Sequence, residues 1–104
     1  MAKSTNKIAG CGAAKAPRTL FANLAYKWYD EIVAGTKRVE YRALSPYWQH
    51  LIGYPTPDTM ITRITFARGY TSRRMTFAVR KITIDETEGC YEIHLGKRVD
   101  DGEE

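Results

Sequence analysis

Alternation of apolar and polar residues is the strongest pattern in the second half of the chain. It extends over 60–70, 75–85 and 90–99, and a period of two residues is typical of strands that bury one face. The phase shifts between Val79 and Ile82, which predicts a bulge or bend in the second of these stretches. The pattern therefore predicts three consecutive strands joined by short turns.

A helical repeat occurs in the first half of the chain, over residues 26–35. Trp28 and Ile32 are four residues apart, and so are Tyr29 and Val33, which is the spacing of one side of a helix. The glycine that ends this stretch is a natural helix stop. We therefore predict a short amphipathic helix, with Trp28 in the core through its pairing with Ile32.

Two more strands and a second helix complete the first half. Residues 19–25 and 36–44 are predicted strands, and Ser45 followed by Pro46 predicts the start of a helix over 46–52. The order strand, helix, strand, helix and then three strands predicts an α+β domain. Its expected form is a small, mixed, partly closed barrel of about five strands, with two short helices covering its ends.

The length of 104 residues accommodates one domain with short extensions. Residues 1–17 are rich in Gly, Ala and Lys and are predicted to form a disordered basic arm, and residues 100–104 form an acidic tail. The predicted domain, 18–99, contains 13 Lys or Arg against 8 Asp or Glu. This excess favours polyanionic partners.

Several functional classes are disfavoured by the composition. No apolar run approaches the roughly 20 residues of a membrane-spanning helix, and the N-terminal lysines are not followed by the apolar core of a secretory signal. A cytoplasmic protein without membrane association is therefore expected. Cys11 and Cys90 are predicted to be free thiols. Without a Cys/His cluster or a glycine-rich phosphate loop, neither a metal nor a cofactor is expected.

Charged residues are concentrated directly after Gly35. Four of the six positions 37–42 carry a charge: Lys37, Arg38, Glu40 and Arg42. In a strand, Arg38, Glu40 and Arg42 share one face, so the carboxylate is expected between two guanidinium groups. Lys37, at the start of the strand, can point toward a cavity, and with Glu40 it can bind a phosphate and a base edge or act as an acid/base pair. The alternative is a ladder of surface ion pairs.

Aromatic residues accompany this charged segment. Tyr47 and Trp48 are adjacent in the predicted second helix, so at most one packs fully inward and the other is free for a ligand. Farther along, Arg68 and Tyr70 flank a glycine at a strand end, where a ligand can approach the backbone closely. Such residues suit base stacking and phosphate contact, although core packing and an ordinary hairpin turn explain them too.

The segment from Tyr26 to Trp48 resembles the ASCH domain family of the PUA-like superfamily. The resemblance lies in an apolar helix that ends at a glycine, in a G-x-K-x-x-E-x-R pattern, and in the P-Y-W that follows. The residues of the pattern are Gly35, Lys37, Glu40 and Arg42. The stretches 66–70 and 93–96 also look like strands of this family, so the resemblance covers about 20–99.

The resemblance implies a β-barrel with a cleft between the barrel and its helices, and a ligand of the RNA or nucleotide class. Lys37 and Glu40 would line the cleft, with Arg42 supporting them. Members of the family are linked to RNA binding, RNA cleavage and hydrolysis of acetylated cytidine. The acetylcytidine amidohydrolases have a threonine nucleophile three residues after the signature lysine, where this chain has Glu40. RNA binding or ribonuclease action is therefore the better match.

Three functions are compatible with the sequence. The first is binding of RNA or a nucleotide in a basic, aromatic-lined cleft. The second is hydrolysis, by a metal-independent ribonuclease or by an amidohydrolase of a modified nucleoside, with Lys37 and Glu40 as catalytic residues. The third is docking of a partner protein through the region of Tyr47 and Trp48. The predicted ligand-binding residues are Lys37, Glu40, Arg42, Tyr47, Trp48, Arg68 and Tyr70.

Overall fold

The computed structural model describes residues 16–100, which form five strands and two helices in the predicted order. Neither of these helices is long and apolar enough to cross a membrane. In chain order, the elements are β1 (Arg18–Leu24), α1 (Tyr26–Ala34), β2 (Val39–Ala43), α2 (Pro46–Ile52), β3 (Ile61–Arg68), β4 (Arg74–Asp85) and β5 (Cys90–Arg98).

The five strands form one sheet that curls into a half-barrel. The strand order is β1-β3-β4-β5-β2, so the two strands that come first in the chain form the two edges. β1 is parallel to β3, and the other neighbouring pairs are antiparallel. The predicted α+β, barrel-like fold is confirmed. The predicted bulge is also confirmed, because the register of β4 with β5 is irregular on both sides of Val79.

The core lies on one face of the sheet, because alternate residues of a strand point to the same side. Both helices contribute to this core, so they pack on the sheet face that buries the apolar residues. The largest fully buried side chains are Tyr29, Ile52, Ile64, Phe66, Met75, Tyr91, Ile93 and Leu95.

Helix α1 buries a different side from the predicted one. Tyr29 and Ile32 are buried, whereas Trp28 is 44% exposed and Val33 is 49% exposed. The prediction that Trp28 belongs to the core is wrong. The residues that pack on the sheet are Tyr29 and Ile32, which are three apart, and one residue of each predicted pair with a spacing of four stays exposed. The helix ends as predicted at Gly35, which has a left-handed φ of 85° and donates its N–H to the oxygen of Ile32.

Hydrogen bonds at helix ends set where β2 and α2 begin. The backbone N–H groups of Thr36 and Lys37 both donate to the oxygen of Glu31 on α1. These residues therefore belong to a turn, and β2 begins three residues later than predicted. Helix α2 begins as predicted, because the hydroxyl of Ser45 accepts the N–H of Trp48 at 3.4 Å.

The predictions for the two termini fall mostly outside the described residues. Residues 1–15 of the predicted arm and 101–104 of the predicted tail are not described. Asp100, the first residue of the predicted tail, is attached to the sheet. Its carboxylate accepts the backbone N–H of Thr76 at 3.1 Å and two hydrogen bonds from Arg98 at 2.7 and 3.0 Å.

Asp100→Asn is expected to lower the free energy of unfolding by about 1 kcal/mol or less near neutral pH, since Arg98 is partly solvated. The hydrogen bonds from Arg98 lower the pKa of Asp100 below its ordinary value of 3.8. The contribution is therefore fully present above that pH and is lost as the pH falls through the lower value of the folded state. Urea denaturation over a pH series measures it.

Glu88→Gln is the control, because it removes the same charge from an exposed turn. A destabilisation by Asp100→Asn that stays constant into strong acid would contradict the ion-pair explanation.

Candidate functional site

The side chain of Arg42 connects the two edges of the half-barrel. Arg42 lies on β2, and its Nη2 donates a hydrogen bond of 2.8 Å to the backbone oxygen of Asn23 on β1. The same nitrogen lies 2.7 Å from Oε2 of Glu40. Because β1 and β2 are not neighbours in the sheet, this side chain makes a connection that backbone pairing does not provide.

Glu40 is the one charged residue of the core among residues 16–100, with 5% of its surface exposed. Its Oε1 lies 3.6 Å from Nζ of Lys37, while its Oε2 faces Arg42. Both carboxylate oxygens therefore face cations, which offsets the cost of removing the charge from water. The structure thus brings together three of the predicted site residues.

The alternation of β2 predicts Arg38 as the second cation beside Glu40, and this is wrong. Arg38 donates instead to the backbone oxygen of Gly96 on β5, at 3.2 Å. Lys37 takes its place because it precedes the strand and is not confined to one of its faces. Its Nζ also donates to the backbone oxygen of Val39 at 2.9 Å, which holds the ammonium group at the start of β2.

Two exposed aromatic rings flank this ammonium group. Nζ of Lys37 lies 5.5 Å from the ring centroid of Trp28 on α1 and 5.2 Å from that of Tyr41 on β2. Both distances are in the cation–π range, and the rings stay 44% and 53% exposed. Lys27 places a second ammonium group 4.7 Å from the ring of Trp28. One ammonium group and two accessible rings therefore line one opening, and a second ammonium group lies over one of these rings.

Two adjoining cavities, of about 400 and 300 Å³, open here between α1 and β2. We call the larger one, lined by Trp28, Lys37, Glu40 and Tyr41, the Lys37 cleft. Three of these residues also line the smaller cavity. The volumes lie at the lower end of the roughly 300–1,000 Å³ that is usual for small-molecule sites.

The aromatic pair of α2 lies beside Arg42 and not in the cleft. The guanidinium carbon of Arg42 is 5.3 Å from the ring centroid of Trp48, which packs against the core. Tyr47 meets Trp48 edge-on, with ring centroids 5.1 Å apart, and is 64% exposed. The prediction that one ring packs inward and the other stays accessible is confirmed, but neither residue lines the Lys37 cleft.

Arg68 and Tyr70 lie on the opposite side of α1 from the cleft. Arg68 donates two hydrogen bonds of 2.9 Å to Asp30, and its guanidinium carbon lies 4.1 Å from the ring centroid of Tyr26. These hydrogen bonds hold the pKa of Asp30 below its usual value. Asp30 and Trp28 are two residues apart, so they project about 200° apart around the helix axis. The structure therefore separates Arg68 and Tyr70 from Lys37 and Glu40, although the sequence predicts all four as parts of one ligand-binding site.

Trp28 and Tyr41 line the cleft although the sequence pattern does not select them. The spacing of Trp28 to Ile32 assigns the tryptophan to the core, and the alternation of β2 places Tyr41 on the face away from Glu40. The neighbouring Lys27 could have indicated that Trp28 is exposed, because a helix side that carries a lysine is seldom buried. The approach of α1 to an edge strand is not visible in the sequence.

Other candidate groups in the described part of the chain are less suited to binding or catalysis. A larger cavity of about 690 Å³ includes Arg18, His50 and Asp58, but Arg18 and Asp58 are paired with each other at 3.1 Å. Burial raises the pKa of the Cys90 thiol, which disfavours a reactive thiolate. Within residues 16–100, no three His, Cys, Asp or Glu side chains lie close enough together to hold a metal ion.

The Lys37 cleft combines a fixed positive charge, a buried carboxylate and two accessible rings. An ammonium group can pair with a phosphate, and an aromatic ring can stack on a planar base. A scan against protein-family models finds no match for the chain, and a search of curated proteins finds no relative. The function is therefore inferred from the geometry of the cleft and from the sequence pattern.

Glu40→Gln is expected to lower the free energy of unfolding by about 3 kcal/mol, because it leaves two largely buried cations without their carboxylate. The figure is at the low end for buried pairs, since Lys37 and Arg42 keep some exposure to solvent. Denaturation by urea measures it. Glu88→Gln removes the same charge from an exposed turn, and equal stability of the two variants would contradict the proposed role of Glu40.

Gly69→Ala is expected to destabilise the β3–β4 hairpin more than Gly89→Ala destabilises the β4–β5 turn. Both glycines have a positive φ, of 61° and 71°, which costs an alanine about 1 kcal/mol. A Cβ at Gly69 would also lie 2.6 Å from Cε1 of Tyr26, whereas a Cβ at Gly89 meets nothing within 4 Å. Displacing the tyrosine ring should cost roughly 1 kcal/mol more.

The difference between the melting temperatures of the two alanine variants measures the packing of Tyr26 on the hairpin. Equal decreases in the two variants would show that this packing contributes nothing.

Proposed function

We propose that this protein binds RNA or a nucleotide in the Lys37 cleft. The observation that carries the proposal is the position of the Lys37 ammonium between the exposed rings of Trp28 and Tyr41, beside a cavity of about 400 Å³. This arrangement matches a ligand that has both a planar ring and an anionic group. A nucleotide has both, and base stacking combined with phosphate contact is how single strands are commonly bound.

Charge and sequence pattern support the same class of ligand. Lys27 adds a second ammonium group at the ring of Trp28, and residues 18–99 as a whole are basic. Positive charge near a binding site raises the rate and affinity of polyanion binding. The resemblance of the segment from Tyr26 to Trp48 to the ASCH family points to the same ligand class.

The geometry supports binding better than hydrolysis. A general base must reach the proton that it removes, but Glu40 is buried and both of its oxygens face cations. Lys37 already donates a hydrogen bond to the backbone of Val39, so its charge is held in a fixed place. A fixed charge beside two rings is suited to holding a ligand, and the carboxylate that lines the Lys37 cleft is the buried Glu40.

Lys37→Gln is expected to weaken binding of a fluorescent single-stranded RNA and to reduce the salt dependence of log K by about one unit, because the variant neutralises one phosphate fewer. Trp28→Ala should weaken binding by about 1–3 kcal/mol, the usual contribution of one stacked base. Fluorescence anisotropy over a range of salt concentrations measures both effects, and circular dichroism verifies that each variant is folded.

Lys97→Gln is the matched control, because it removes the same charge from an exposed position on β5. Equal weakening by the two lysine substitutions would show that binding reflects overall charge and not the cleft. Absence of RNA and nucleotide binding by the wild-type protein at physiological salt would overturn the proposal.

A further inference from the structure

A second basic and aromatic surface lies on the other side of α1, around the hairpin that joins β3 to β4. Three arginines of this hairpin each approach an aromatic ring of β1 or α1. Tyr70, at 95% exposure, projects from the hairpin into solvent. We call this region the hairpin surface, and its residues are Phe21, Tyr26, Arg68, Tyr70, Arg73 and Arg74. Phe21 and Arg74 alternate with buried residues, so they lie on the sheet face opposite α1, and the surface continues around the end of the hairpin.

Two of the three arginines form no direct ion pair in the described part of the chain. Arg68 is paired with Asp30 through two hydrogen bonds. In contrast, Arg73 and Arg74 have no carboxylate oxygen within 4.0 Å in the described part of the chain. Arg74 is held in place by hydrogen bonds to the backbone oxygens of Thr71 and of its neighbour in the turn. The Asp30 carboxylate also attracts Arg73, which contributes to the lowered pKa of Asp30. The hairpin surface therefore presents a fixed guanidinium group at Arg74 and a partly neutralised one at Arg73, and such groups suit phosphate oxygens.

The beginning of α1 connects the hairpin surface to the Lys37 cleft. Tyr26, Lys27 and Trp28 are consecutive and all exposed. Tyr26 stacks against Arg68 of the hairpin, whereas Trp28 lines the cleft, and Lys27 lies between them with its ammonium group over the ring of Trp28. Tyr26, Lys27 and Trp28 therefore connect the two surfaces along the exposed side of α1, which also carries the exposed carboxylate of Asp30.

The width of α1 sets the size of a ligand that touches both surfaces. An α-helix with its side chains is about 10–12 Å across, so the two surfaces are separated by roughly that distance. A single nucleotide that occupies the cleft does not extend across a helix, but a strand of several nucleotides does. Single-strand sites of roughly 4–16 nucleotides are usual in small domains that combine a basic groove with stacking rings.

We infer that the ligand is a single-stranded RNA several nucleotides long, which crosses the beginning of α1 from the Lys37 cleft to the hairpin surface. This inference rests on the proposed function. One base stacks in the cleft beside Lys37, and the phosphates farther along the strand contact Arg73 and Arg74. Lys27, which lies between these positions, supports the backbone that passes over the helix.

The test is a length series of unstructured RNA, from a mononucleotide to about eight nucleotides, measured by anisotropy competition against the wild-type protein. Affinity is expected to rise steeply with length and then to level off once the strand reaches the hairpin. The double variant Arg73→Gln/Arg74→Gln should bind the mononucleotide as the wild type does. For the longest RNA, its salt dependence should fall by about two units, one for each phosphate that is no longer paired with an arginine.

Arg63→Gln/Arg80→Gln is the matched control, since it removes two exposed arginines far from the hairpin turn. Equal affinity for the mononucleotide and the long RNA, or equal effects of the two double variants, would overturn the inference and leave the proposed function standing. Failure of the wild-type protein to bind any member of the series would overturn both.

Discussion

The connection between the two edges of the sheet depends on one ion pair. Backbone pairing joins β1 to β3 and β2 to β5, but it does not join β1 to β2. Arg42 makes this connection through the oxygen of Asn23, and Glu40 holds the guanidinium group in place. The other oxygen of the same carboxylate faces Lys37, so one buried group contacts both the cation that connects the sheet edges and the cation of the cleft.

Helix α1 determines how the two basic regions of the surface are arranged. Its buried side, with Tyr29 and Ile32, fixes it on the sheet. The two sides that remain then face different basic regions, since Trp28 lines the Lys37 cleft and Asp30 holds Arg68 of the hairpin. A nine-residue helix thus determines how far apart the two sets of cations lie and which ligands can contact both.

The elements and the Glu40–Arg42 pair could be predicted from the sequence, because they depend on local periodicity. Alternation identifies the strands and places Glu40 and Arg42 on one face of β2. The position of Trp28 could not be predicted, because the helix has two equivalent apolar pairs and only the sheet decides which side is buried. The pairing of Glu40 with Lys37 could not be predicted either. It requires Lys37 to lie outside β2, and the backbone hydrogen bond that keeps it there is made to Glu31 of α1.

One hydrogen bond of Lys37 has a consequence for the free edge of the sheet. The oxygen of Arg38 accepts the N–H of Leu95, and in an antiparallel pair the next residue, Val39, directs its backbone groups away from the partner strand. Lys37 covers the outward oxygen of Val39 at 2.9 Å. Unpaired oxygens of this kind are where a strand of another molecule adds to a sheet, and a lysine at the edge prevents it. The cation of the cleft therefore also occupies one backbone oxygen at which a strand of another molecule would pair with β2.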